Sequence, residues 1–174
     1  MVKELFQRYS LKKSASQEPT GLLPLKAVRS AVAFIDVEDS SWESCKNALL
    51  AFFREYGIKG DIFFFDIRRI EKGERLITSI NTTVLKKDLN WYERPSPEKT
   101  RIMLEGEPDL FISLLPKANY PLEYMVRCSR ARFKVGREQL PGNVFDLVVT
   151  DPADRRLNQA EAFAEISNLL TRIQ

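Results

Sequence analysis

Residues 31–66, AVAFIDVEDSSWESCKNALLAFFREYGIKGDIFFFD, decide the fold. AVAFID (31–36) and DIFFFD (61–66) are short, continuous apolar runs, the composition of strands covered on both faces. Between them Trp42, Cys45, Leu49, Phe52 and Tyr56 step by three and four along one face of a helix, and Gly57 supplies its stop. Ser40 and Glu43 fit a capping box at the start of that helix. Buried strand, amphipathic helix, buried strand is a crossover unit, and such units wind right-handed.

The same alternation continues outward. Residues 77–85, rich in Thr, Ile and Val, predict a more polar strand, and KDLNWYERPSP (87–97) a loop. Ser96 caps a short helix with Pro97 in its first position, ending near Gly106. DLFISLL (109–115) is the next strand. Pro121 opens a helix through Tyr124, Met125 and Cys128, and RFKVG (132–136) is a short strand. FDLVVT (145–150) is the last buried strand, with Asp151 and Pro152 starting a terminal helix whose stripe is Leu157, Phe163, Ile166, Leu170 and Ile173. Strands separated by helices predict an α/β, three-layer, Rossmann-like domain with a mostly parallel sheet of five or six strands. The runs 31–36, 61–66, 109–115 and 145–150 are expected at its centre.

Upstream, Val2, Leu5, Phe6 and Tyr9 share one helical stripe flanked by Lys3, Arg8, Lys12 and Lys13, an amphipathic basic helix. SASQEPTG (14–21) reads as a linker. The expected organisation is therefore residues 1–20 as helix and linker, and residues 21–174 as one domain. A helix this short is marginal alone in water, so it must find a surface. It is expected to dock outside its own sheet layers, on a protein partner or by self-association, with the linker allowing that surface to be remote. Four cations beside a single acid give only weak membrane attachment, so protein contact is preferred to a membrane surface.

Composition removes several chemistries. The chain has no histidine, which excludes Ser-His and Cys-His nucleophile pairs, imidazole bases and His-ligated metals. Two cysteines on separate helical segments do not make a zinc site, and no cofactor is expected. A net charge of +3 is too small to argue for nucleic acid without a concentrated cationic face. No apolar run approaches the roughly 20 residues of a spanning helix, and the first residues lack the pattern of a signal peptide, so the cytoplasm is the expected location.

In an open parallel sheet, ligands bind outside the carboxyl ends of the strands, where the strand order reverses. That rule selects Asp36 and Asp39 after the first strand, Asp66, Arg68 and Arg69 after the second, residues 116–120 with Lys117 after DLFISLL, and Asp151 after the last. FIDVEDSSWES (34–44) has no glycine and four carboxylates, Asp36, Glu38, Asp39 and Glu43, so it repels phosphate and is no nucleotide loop. A hard cation such as Mg²⁺ is one occupant for such acids; helix capping by acidic residues is the favoured reading. Arg68 and Arg69 either meet an anion or are neutralised by Asp61, Asp66, Glu71 and Glu74. In RCSRARFKVG (127–136), Arg127, Arg130, Arg132 and Lys134 fit a helix end followed by an edge strand with exposed charge better than an anion site. Of Trp91 and Tyr92, one is expected to anchor the loop, while stacking on a sugar or base is the alternative use.

DLFISLLPKANYPLEYMVRCSRARFKVG (109–136), with AVAFIDVEDSSW and LNWYERP, resembles a family of uncharacterised small proteins from Bacteroidetes over residues 28–150. The resemblance implies no activity and carries no catalytic residue across. More remotely, 109–136 resembles the amino-terminal half of heptosyltransferase-type glycosyltransferases, but the Gly-rich turn of that pattern is absent and no second domain remains for a sugar-nucleotide donor. The expected function is a non-catalytic binding or assembly module. The alternative is a small-molecule enzyme or sensor that holds an anionic, sugar-phosphate or nucleotide-like ligand among Asp36, Asp66, Arg68, Arg69, Lys117 and Trp91.

Overall fold

A computed structural model describes residues 1–174. Six strands, β1 (Ser30–Asp36), β2 (Lys59–Asp66), β3 (Thr83–Leu85), β4 (Leu110–Ser113), β5 (Phe133–Gly136) and β6 (Leu147–Val148), form one sheet. Every pairing is parallel, and the order is β3-β2-β1-β4-β5-β6. The strand order therefore reverses between β1 and β4. Five helices accompany the sheet: α1 (Val2–Ser14), α2 (Trp42–Glu55), α3 (Pro97–Met103), α4 (Tyr120–Cys128) and α5 (Gln159–Leu170).

Alternate residues of the central strands feed two cores. Ala31, Ala33 and Ile35 of β1 pack with Cys45, Leu49 and Phe53 of α2 and with Phe163 and Ile166 of α5. Val32 and Phe34 face the other way, toward Met103 of α3 and Leu122, Met125 and Val126 of α4. Phe34 stands at the middle of that second core, its ring centroid 5.3–5.7 Å from those of Phe63, Phe65 and Phe111. Both faces are covered, which is why these strands are apolar without alternation.

The α2 crossover lies tight on β2. A Cβ placed on Gly60 would collide with the ring of Phe53. Gly60→Ala is expected to lower stability by about 1–3 kcal/mol through overpacking. Phe53→Leu in the same chain should recover part of that loss, and denaturant unfolding of the double-mutant cycle measures the coupling. Simple additivity of the two losses would place the strain elsewhere.

Several expectations are corrected in detail. The polar strand shrinks to Thr83–Leu85, because Ile80–Thr82 form a 3₁₀ turn beneath which Lys99 is buried, its Nζ donating to the Thr83 carbonyl at 2.8 Å and also to that of Ile80. The last strand keeps only Leu147–Val148 and is an edge, not a central strand. β5 lies between β4 and β6, so it is not an edge, and Lys134 is buried. Ser40 does not cap α2; Ser41 occupies the cap position and its hydroxyl makes no capping bond there, accepting instead from Ala160 N of α5. Finally, α5 starts at Gln159 rather than after Pro152, because Asn158 and Glu161 form the capping box.

Helix α1 adds a layer outside α4 on its own chain. Gln7 Nε2 donates to the Tyr92 carbonyl at 3.0 Å, Ser10 is buried, and Leu11 packs on the second core. Residues 15–21 do not act as a free tether: Ser16 N donates to Arg127 O at 2.8 Å and Gly21 N to Arg132 O at 2.9 Å. These backbone bonds hold α1 close to its own domain. No helix is long and apolar enough to cross a membrane.

Candidate functional site

The carboxyl edge of the sheet divides into three sectors of different chemistry. At the point of order reversal, beside β1 and β4, a crevice of about 280 Å³ is lined by Asp36, Glu38, Glu93, Asn119, Leu115 and their neighbours. Burial raises the pKa of Asp36 above the usual carboxylate value, and the carboxylates of Glu38, Asp39 and Asp66 push it further the same way, against the Glu38 N–H that it accepts. An anion has no reason to enter this crevice. The acids of the 36–43 turn are also spent separately: Asp36 Oδ1 accepts from Glu38 N, while Asp39 accepts from Ser41 N and from Gln159 N at the start of α5. They do not gather into a group that could hold a metal ion.

The second sector, past β4, β5 and β6, is closed by protein. Arg137, directly after β5, has its side chain 1% exposed and pairs with Asp151 at 2.8 Å. Its Nη1 donates to Leu114 O at 3.1 Å and its Nη2 to Leu157 O at 2.7 Å, so the guanidinium ties the end of β4 to the approach of α5. Gln159, fully buried, accepts from Asp36 N at 2.8 Å and donates to Asp36 O at 2.7 Å, which fastens the α5 start over the end of β1. Asp151, selected from the sequence, is therefore the counterion of Arg137.

The third sector, at β2 and β3, is cationic. Asp66 is buried and grips Arg68 with two bonds, Nε to Oδ1 at 2.7 Å and Nη2 to Oδ2 at 2.8 Å. These bonds raise the guanidinium pKa, so Arg68 stays charged and fixed. Around it, Arg68, Arg69, Lys86 and Lys87 line a groove of about 510 Å³. Lys117 does not reach it; it follows β4, which β1 separates from β2. Of the residues selected from the sequence, the fold thus brings Arg68 and Arg69 together beside Asp66, leaves Asp36 in the acidic crevice, and sends Lys117 and Trp91 elsewhere.

The basic run of 127–134 resolves into separate local partners. Arg127 pairs with Glu123 at 2.8 Å, Arg130 with Glu107 at 3.2 Å, Arg132 with Asp109 at 3.1 Å, and Lys134 Nζ donates to Val126 O at 2.7 Å. Each cation is accounted for without a ligand. In the 89–95 loop Tyr92 is the anchor, tucked edge-on toward Tyr120 at 6.5 Å between centroids. Trp91 stays 61% exposed, its ring edge-on to Phe6 of α1 at 5.0 Å. Lys3 of α1 holds the same loop through Glu93 at 3.1 Å. Beside Trp91, Leu5 and Tyr9 are 67% and 65% exposed, and Val2 and Phe6 are exposed too. The face of α1 that is apolar in sequence is thus the one its own domain leaves uncovered.

Sequence reasoning missed Arg137, Lys86 and Lys87. The signal was present, since Lys86 directly follows β3 and Arg137 directly follows β5. A family model described as a family of unknown function (DUF6913) matches residues 3–173, nearly the whole chain. No curated protein matches it.

Proposed function

This chain belongs to the family of unknown function DUF6913, and we propose that it is a non-catalytic binding and assembly module of the cytoplasm. The contact surface is the uncovered face of α1, and its occupant is a second copy of the chain. One observation carries this reading: Val2, Leu5, Phe6 and Tyr9 form a contiguous apolar stripe in solvent, extended by Trp91. Isolated exposed apolar residues are ordinary, but a continuous patch with aromatic members is the composition of an interface. A helix that presents the same stripe on each copy suits an isologous two-fold contact, the commonest form of assembly. The non-catalytic part rests on the use of the strand-end carboxylates, Asp66 by Arg68 and Asp151 by Arg137.

Sedimentation of the full chain on serial dilution tests it. The wild type is expected to show a dimer that dissociates on dilution, whereas Leu5→Glu with Tyr9→Glu stays monomeric with unchanged far-UV circular dichroism. Loss of two apolar anchors should weaken the dimer at least about tenfold, or roughly 1.4 kcal/mol. A wild type that is monomeric throughout, or a variant that associates equally, overturns self-association through α1.

A further inference from the structure

We propose that the groove at the carboxyl ends of β2 and β3 binds a small phosphorylated molecule with an apolar body, held by Arg68, Arg69, Lys86 and Lys87. Its volume of about 510 Å³ lies within the range of small-molecule sites. Cations line it together with Ile70, Leu76 and Leu85, and no carboxylate does. An anionic group is recognised by the first set and an apolar body by the second.

Clustered cations on a protein surface are usually neutralised by nearby acids; here Asp66 pairs with Arg68, which Glu74 and Glu38 also favour in its charged form, while no acid pairs with Arg69, Lys86 or Lys87. Asp88, next to Lys87, accepts from Leu85 N at 2.8 Å and pairs with Lys99 at 3.7 Å. Glu74 accepts from Glu71 N at 3.1 Å. Asp66 is turned inward and engages only Arg68, by Nε and Nη2. Arg69, Lys86 and Lys87 have no ion pair. Like charges held close raise the local potential and favour a multiply charged anion over a monovalent one. Arg68 is the built element of the site. Its planar fork is set by a buried carboxylate before any ligand arrives, and a preset guanidinium forms charge-assisted bonds to phosphate with little ordering cost.

The chemistry predicts a ranking of ligands, which calorimetry on the full chain reads directly. Phenyl phosphate is expected to bind, inorganic phosphate to bind about tenfold more weakly because it leaves the apolar lining unused, and benzyl alcohol not to bind. Lys86→Gln with Lys87→Gln, and separately Arg69→Gln, should each weaken phenyl phosphate at least about tenfold, and raised salt should do the same. Lys117→Gln should leave affinity unchanged. The proposal is overturned if phenyl phosphate does not bind at millimolar concentration, if inorganic phosphate binds as tightly, or if the lysine variant keeps wild-type affinity. Its fate is separable from that of the α1 interface: Leu5→Glu should bind phenyl phosphate normally, and the groove variants should sediment as wild type.

Discussion

Arg137→Ala is expected to lower unfolding free energy by about 3–5 kcal/mol, a large share of the marginal stability of an ordinary domain. The guanidinium is almost fully enclosed and serves three acceptors, the carbonyls of Leu114 and Leu157 and the carboxylate of Asp151. Truncation leaves two carbonyls in the sheet-helix junction without donors and Asp151 without its counterion. Unsatisfied buried groups cost far more than the bonds themselves contribute. Arg137→Lys should recover only part of the loss, since one ammonium does not reproduce a planar fork spanning separate acceptors. Asp151→Asn should cost less than Arg137→Ala, because Asp151 is 28% exposed and water replaces part of the pairing. Denaturant unfolding measures all three; a loss below about 1 kcal/mol for Arg137→Ala would mean that water reaches those carbonyls.

Lys134 should produce an alkaline rise in stability. Only 5% exposed, it sits beneath α4 with Nζ on Val126 O. Burial lowers its pKa from 10.5 to about 8; Asp146 and Cys128 oppose the shift and Arg127 adds to it. Between these values the unfolded chain binds more protons than the native one, so stability contributed by this group rises with pH from about 8 to 10.5. Below pH 8 the penalty for burying the charge is present in full. One pKa unit corresponds to about 1.4 kcal/mol, so the whole rise is about 3 kcal/mol. Lys134→Met keeps the aliphatic stem and has no such rise. At neutral pH it should be close to wild type, since relief of the buried charge offsets a Val126 carbonyl left without its donor.

Two thiols act in the opposite sense. Burial pushes Cys45 up to about 12 and Cys128 up to about 11, so each loses stability as pH climbs above the ordinary thiol value. Comparing chains with and without Lys134→Met, both carrying Cys128→Ala because Cys128 neighbours the ammonium, isolates the lysine. Parallel pH profiles for the two would contradict the buried-charge account.

Strands β1, β2 and β4 are legible because burial on both faces leaves a composition that needs no partner to interpret. Lys134 shows where legibility stops. Its alternation with Phe133 and Val135 is the pattern of a half-exposed edge, and the carbonyl of Val126, brought over by α4, with the carboxylate of Asp146 makes burial tolerable. Asp151 beside Pro152 has the local chemistry of a helix start, yet it is taken by Arg137, and Asn158 with Glu161 caps the helix instead. The rule that ligands meet the carboxyl ends of strands selects Arg68 and Arg69 from sequence. The same rule, applied to the shorter runs that end at Leu85 and Gly136, reaches Lys86, Lys87 and Arg137 as well. The α1 stripe is visible as periodicity, whereas its attachment through Gln7 depends on Tyr92 and on Tyr120 of α4, which are remote in sequence.

The assembly surface is tested most directly by ¹⁹F NMR of the full chain labelled with 5-fluorotryptophan, followed on dilution. There are two reporters: Trp91 beside Phe6 on the α1 face, and Trp42, which packs on Phe64 at 5.9 Å in the α2 layer. Self-association through α1 predicts that the Trp91 resonance shifts as the dimer dissociates while Trp42 stays fixed, and that Leu5→Glu with Tyr9→Glu holds Trp91 at its dilute position throughout. A Trp91 resonance independent of concentration, or a shift confined to Trp42, would contradict it.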